Sequence, residues 1–175
     1  MIHQTVISRK ELSSAFEAVT KELLQVLISF DQPQINTAPF AGGWTAAQVG
    51  EHLFKSDSSI LNALYGPVKE THRAVDEYVD GINSQFLDFS TKMKAPDLII
   101  PADMEHDKET LISALKSTRL LLGKAIKSLD LSLTCTDPVL SAIAGELTRL
   151  EYINFVISHT HRHINQLKEI YNRIE

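Results

Sequence analysis

The sequence has 175 residues, 43% hydrophobic and 22% charged, a balance expected to bury a sizeable core in one domain spanning 1–175 without disulfides. A net charge of −5 gives it no general attraction to phosphate backbones or anionic lipid, which argues against nucleic acid and membrane partners. Cys135 is the single cysteine and cannot close an internal disulfide, and MIHQTVISRKEL lacks the apolar run of a secretory signal. No window reaches the roughly 20 apolar residues of a membrane span, so the expected location is the cytoplasm.

Gly 7 and Pro 6 are too few for the closely spaced turns of an all-β chain, and the apolar spacing reads helical. The first helix is expected over Arg9–Phe30, where Leu12, Phe16, Val19, Leu23, Leu27 and Phe30 form one stripe behind a Ser8/Glu11 capping box. A second follows Gly42-Gly43-Trp44 with Thr45 and Gln48 as its box. It carries Val49, Leu53, Phe54, Ile60 and Leu64 and stops near Gly66-Pro67, because proline cannot continue the ladder. The third starts near Asp107 and shows Leu111, Leu115, Thr118, Leu122, Ala125 and Leu129; Gly123 inside it costs about 1 kcal/mol relative to Ala. The fourth opens at Thr148 with Glu151 and reaches about Arg173 through Ile153, Val156, Leu167, Ile170 and Ile174.

Four such segments, each about 30 to 38 Å long, imply an all-α four-helix bundle. Tyr65 to His106 forms a long crossover between helices two and three, so those helices need not be antiparallel neighbours. Within it a short helix is expected at Asp80–Lys92, then an extended run from Lys94-Ala95-Pro96 to Pro101. Asp130 to Gly145, with Asp137-Pro138, reads as an irregular link with a turn.

Chemistry concentrates in the histidines. Of the seven, His159, His161 and His163 fall within five residues of the fourth helix. At about 100° per residue, His159 and His163 lie about 40° apart and one turn apart on the face of Val156, whereas His161 points to solvent. An i, i+4 pair on a buried face needs polar partners or a metal, and two ligands alone make a weak site. His52, about 60° from Val49 on the inner side of helix two, is the natural third ligand. The alternative is a satisfied core pair or surface decoration. His3, His72 and His106 read as solvated, and Gln166 either hydrogen-bonds a ligand imidazole or packs between helices.

Other chemistries fall away. Thr160 stands where a zinc protease helix needs Glu, and the sequence has no Gly-rich phosphate loop, nucleophile elbow or paired Cys-x-x-Cys. Cys135 reads as structural. Glu51, Asp57 and Asn154 are candidate polar wall residues, though neither Glu51, Asp57 nor the capping Glu151 is a convincing fourth ligand.

Gly43-Trp44-Thr45-Ala46-Ala47-Gln48-Val49-Gly50-Glu51-His52-Leu53 resembles the first motif of the DinB/YfiT-like family of metalloenzymes. His159-Thr160-His161-Arg162-His163-Ile164-Asn165-Gln166-Leu167 is similar to its closing His-x-x-x-His-x-x-Gln element, and Lys94-Ala95-Pro96 with Pro101 resembles its crossover. The resemblance implies a bundle, often dimeric, with His52, His159 and His163 as metal ligands. It implies a small-molecule substrate and either a transferase using a low-molecular-weight thiol such as bacillithiol or mycothiol, a related isomerase, or a metal-hydroxide hydrolase. A non-catalytic, metal-stabilised binding or stress-response bundle is the alternative. Zinc or nickel leads among the divalent ions, ahead of iron and manganese.

Overall fold

The computed structural model describes residues 7–175, which places His3 outside the described residues. Four long helices dominate: α1 (Arg9–Ser29), α3 (Ala46–Tyr65), α5 (Lys108–Ser128) and α7 (Arg149–Ile174), with a short α2 (Gln32–Ile35) between the first two. The expected capping boxes form at Ser8/Glu11, Thr45/Gln48 and Thr148/Glu151, each satisfying two backbone donors that the first turn leaves open. Their apolar stripes meet in one core, in which Leu23, Leu27, Leu53, Leu115, Leu122, Ile153 and Leu167 are wholly buried.

Neighbour relations follow from the contacts. α1 and α3 occupy opposite corners, each packing against both α5 and α7. Lys108 Nζ near the start of α5 donates to Ile28 O at the end of α1, and Arg9 Nη2 donates to Leu129 O at 2.9 Å, which makes α1 and α5 antiparallel. α3 and α5 run parallel, because Gly50 meets Leu111 near their starts and Asp57 meets Arg119 further along. A Cβ on Gly50 would lie 2.9 Å from Leu111 Cδ2, so glycine permits this close approach. Parallel neighbours require a connection that travels back along the bundle, and residues 66–107 supply it.

That crossover departs from the expectations. Its helix, α4, spans Val79–Phe86 rather than Asp80–Lys92. Asp88 ends it early, since its carboxylate accepts from Ser90 N, Ser90 Oγ and Thr91 Oγ1 and so stabilises a turn in place of another helical residue. The run expected to be extended contains a 3-10 turn at Asp97–Ile99 behind Pro96. The second link is also more regular than expected. β1 (Val68–Lys69) pairs antiparallel with β2 (Thr134–Cys135), in register Val68 to Cys135 and Lys69 to Thr134. α6 (Pro138–Ala144) follows. Asp137-Pro138, read as a turn, is an N-cap followed by a proline at the first helical position, where a missing N–H costs nothing. Gly145, at φ 77°, closes that helix. No helix among the described residues is long and apolar enough to cross a membrane.

One buried side chain ties the four long helices together. Arg119 of α5 approaches Asp57 Oδ2 of α3 at 2.9 Å and donates to Thr20 Oγ1 of α1 at 3.1 Å and Thr160 Oγ1 of α7 at 2.8 Å. Nε and Oδ2 face each other at ion-pair distance but off the hydrogen-bond line. Burial pushes the Asp57 carboxyl upward in pKa and Arg119 opposes it.

Candidate metal centre

Helical periodicity aims three imidazoles at one point. His52 leaves the inner face of α3 two turns after its cap; His159 and His163 leave α7 on adjacent turns. One nitrogen from each ring lies within 4.8 Å of the others, and all three residues are buried. His159 Nε2 stands 3.1 Å from His52 Nε2 and 2.9 Å from His163 Nε2. His161 is exposed, as its helical angle requires.

The outer nitrogens set the tautomers. His52 Nδ1 lies 2.8 Å from Ile99 O, and a carbonyl only accepts, so that nitrogen carries the proton. His163 Nδ1 donates likewise to Gln166 Oε1 at 2.8 Å. Both neutral rings therefore turn an Nε2 lone pair toward His159 Nε2. A single proton on His159 Nε2 would satisfy one of these contacts and leave the other as lone pair against lone pair. A cation satisfies all three. Tetrahedral bonds of 2.0 to 2.1 Å would set the nitrogens about 3.3 Å apart, within a few tenths of an ångström of the observed separations.

Electrostatics hold the rings in this ligating form. Burial drives the His159 pKa well below its ordinary value, and the neighbouring His163 and His52 push the same way. Burial lowers His163 to about 3, with His52 adding to the effect and Gln166 opposing it. His52 is lowered by burial against the pull of the Ile99 carbonyl. All three are neutral near pH 7.

The triad opens into a cleft of about 1010 Å³ bounded by α3, α4, the crossover, α6 and α7. Phe155 stacks on His159 with centroids 5.0 Å apart, Phe86 meets the same ring edge-on at 5.7 Å, and Trp44 lies 5.1 Å from His52. Among the described residues the cleft's carboxylates are Glu77 and Glu146. Both sit by the start of α7, where Arg73 makes a double hydrogen bond with Glu151 and Tyr78 N donates to the same carboxylate. Glu151 is two turns, about 12 Å, from His159 along α7.

Several sequence expectations need correction. Glu51, Asp57 and Asn154 do not line the cleft. Glu51 is taken up by Lys55 at 3.0 Å and by Ala102 N at 2.7 Å, Asp57 by Arg119, and Asn154 by Asn83 at 3.0 Å. His106, expected to be solvated, has a side chain only 13% exposed, with Nε2 3.3 Å from Glu51 Oε2. Asn36 holds it there by accepting from His106 N and donating to His106 O. His72 is exposed, and Cys135 is buried with its thiol pushed up to about 11 by burial. Ile99, the partner of His52, carries no signal in the sequence because its carbonyl does the work. Trp44, Phe86 and Phe155 give only the weak signal of aromatic residues near a histidine.

Comparison with known proteins identifies the family and the fold. The DinB superfamily pattern matches residues 15–167. The chain belongs to the DinB superfamily. It is 29% identical over 165 residues to the uncharacterized protein YuaE of Bacillus subtilis (strain 168), covering 93% of this chain and 98% of YuaE. This DinB-superfamily chain superposes on YfiT from Bacillus subtilis, a probable metal-dependent hydrolase with an unusual four-helix bundle topology, with a TM-score of 0.61 at 15% identity. That match covers 99% of this chain and 92% of YfiT. The four-helix bundle protein TT2238 gives a TM-score of 0.60 at 19% identity over 93% of this chain and 99% of its own. At these identities the two structures establish the bundle fold.

Proposed function

We propose that the chain is a metal-dependent enzyme acting on a small molecule, with His52, His159 and His163 as the ligands of a divalent ion. The observation that carries this reading is three buried Nε2 atoms facing one another at the end of a cleft, with the outer nitrogens of His52 and His163 engaged by Ile99 O and Gln166. A divalent ion on three neutral imidazoles keeps at least one coordination position for water or substrate and lowers the pKa of what binds there. Zinc and nickel suit the all-imidazole set first, with iron and manganese compatible.

The chain's own residues supply orientation and a dry environment. Ile99 O and Gln166 lock the tautomers of His52 and His163, while Trp44, Phe86 and Phe155 shield one side of the site from bulk water. The likeness to YfiT supports hydrolysis. Thiol transfer draws support from a different observation: the cleft's carboxylates, Glu77 and Glu146, belong to the segments that meet the start of α7, about two turns from His159. A thiol would have a single proton to lose, whereas hydrolysis would also have to pass water's second proton to the leaving group, a transfer that a carboxylate beside the imidazoles would carry. We place the reaction in the cytoplasm, where a low-molecular-weight thiol stays reduced.

Protein purified without a histidine tag should carry about one divalent ion per chain, and His52→Ala and His163→Ala should each lose most of it. Unchanged stoichiometry in both variants would remove this assignment. Turnover of an ester and amide panel against a thiol-conjugation panel then separates the two chemistries, and metal-dependent stability with no turnover in either would leave a binding bundle.

A further inference from the structure

Beyond the ligand set, the cleft itself describes what enters it. The walls between the imidazoles and the start of α7 are mainly apolar, formed by Ile60 of α3, Ile82 and Phe86 of α4, Leu140 of α6, and Tyr152 and Phe155 of α7, with Ser56 and Ser59 of α3 and Gln85 of α4 as their neutral polar members. Charged residues of the same cleft are at least partly exposed, as Arg73, Glu77, Lys94, Glu146 and Arg162 are, and three of them are already engaged, Glu146 with Lys69. Arg73 is spent on Glu151, Ala74 O and Glu146 O, and Arg162 on the carbonyls of Asp88 and Thr91. A strongly polar molecule pressed against such walls would lose hydration with little return, while an apolar one gains from every methylene buried. From His159 to Tyr152 the cleft follows α7 for seven residues, about 10 Å.

We infer that the cleft binds an elongated, mainly apolar small molecule, with a metal-coordinating head group at the imidazoles and its tail laid along α7 toward Tyr152. This rests on the metal-site reading for the head group and on the walls alone for the tail.

Straight-chain hydroxamates from two to ten carbons, titrated into the zinc-loaded protein, measure both parts. Affinity should rise about fourfold per added methylene up to about eight carbons and then level off. A matching series of 1-alkanols on the metal-free protein reads the walls without the ion and should show the same dependence on length. Gly81→Phe sharpens the test, because Gly81 lines the cleft and a Cβ there meets nothing within 4 Å. It should weaken the octyl hydroxamate at least tenfold relative to acetohydroxamate. Acetohydroxamate binding with no gain on lengthening, in either series, overturns the inference and leaves the metal site standing. A length-dependent alkanol series with no zinc uptake supports the apolar cleft and removes the metal site instead.

Discussion

Two buried polar clusters lie one residue apart on α7 and solve opposite problems. At Thr160 the cluster is complementary: the Arg119 guanidinium meets the Asp57 carboxylate and donates to two hydroxyls, so donors face acceptors. At His159 three nitrogens face one another, and the tautomers of His52 and His163 turn two lone pairs inward. The first arrangement is balanced in charge, although Arg119 Nε and Asp57 Oδ2 meet off the hydrogen-bond line, and it joins the four long helices. The second has an excess of acceptors, which a cation would resolve. Burial alone therefore does not mark function; the mismatch between donors and acceptors does.

The sharpest way to break this contrast is to remove Arg119. Arg119→Met leaves a buried carboxylate without its counter-ion and should cost about 3 to 5 kcal/mol in chemical denaturation, whereas pairing it with Asp57→Leu should recover most of the loss. A single variant near wild-type stability would show that the complementary cluster is not what holds the helices.

The triad responds to pH with a defined sign. In the unfolded chain these imidazoles titrate near 6.5, while in the folded protein His163 stays neutral down to about 3 and His52 and His159 are lowered as well. Below pH 6.5 the unfolded state thus binds more protons, and stability of the metal-free protein should fall as pH drops from 6.5 toward 3. His163 alone contributes about 1.4 kcal/mol per pH unit in that window and nothing above it. Urea midpoints of the metal-free protein at pH 7.5, 6 and 5 would measure the slope. A flat profile would mean the rings are more hydrated than their burial implies.

Smaller effects sharpen the same comparison. Gln166→Leu removes the acceptor of His163 Nδ1 and should weaken metal affinity about 10- to 100-fold without a matching loss of stability. Gly123→Ala, one turn beyond Arg119 on α5, should stabilise by about 0.5 to 1 kcal/mol, since its Cβ would meet only Phe16 at an ordinary 3.8 Å. Thermal unfolding would register the second change and not the first.

The bundle was legible in the sequence because its signals are local: three capping boxes announce α1, α3 and α7, and spacing fixes each apolar face. The inward pair His159 and His163, and His52 opposite, follow from the same periodicity. What spacing cannot encode is contact between distant segments. Ile99 serves through its backbone, Arg119 looks like any charged helix residue until three other helices close around it, and Glu51 and Asp57 acquired partners that removed them from the cleft. Asp137-Pro138 was ambiguous for another reason, since the same dipeptide starts a turn or a helix and the residues that follow decide.

X-ray absorption at the zinc edge of the zinc-loaded protein would count the imidazoles on the ion. Three imidazole nitrogens at about 2.0 to 2.1 Å with at least one further oxygen or nitrogen scatterer are expected, while His52→Ala should lose most of the zinc and show two imidazoles around what remains. A fourth imidazole, a sulfur ligand, or a spectrum unchanged by that substitution would contradict the three-imidazole site.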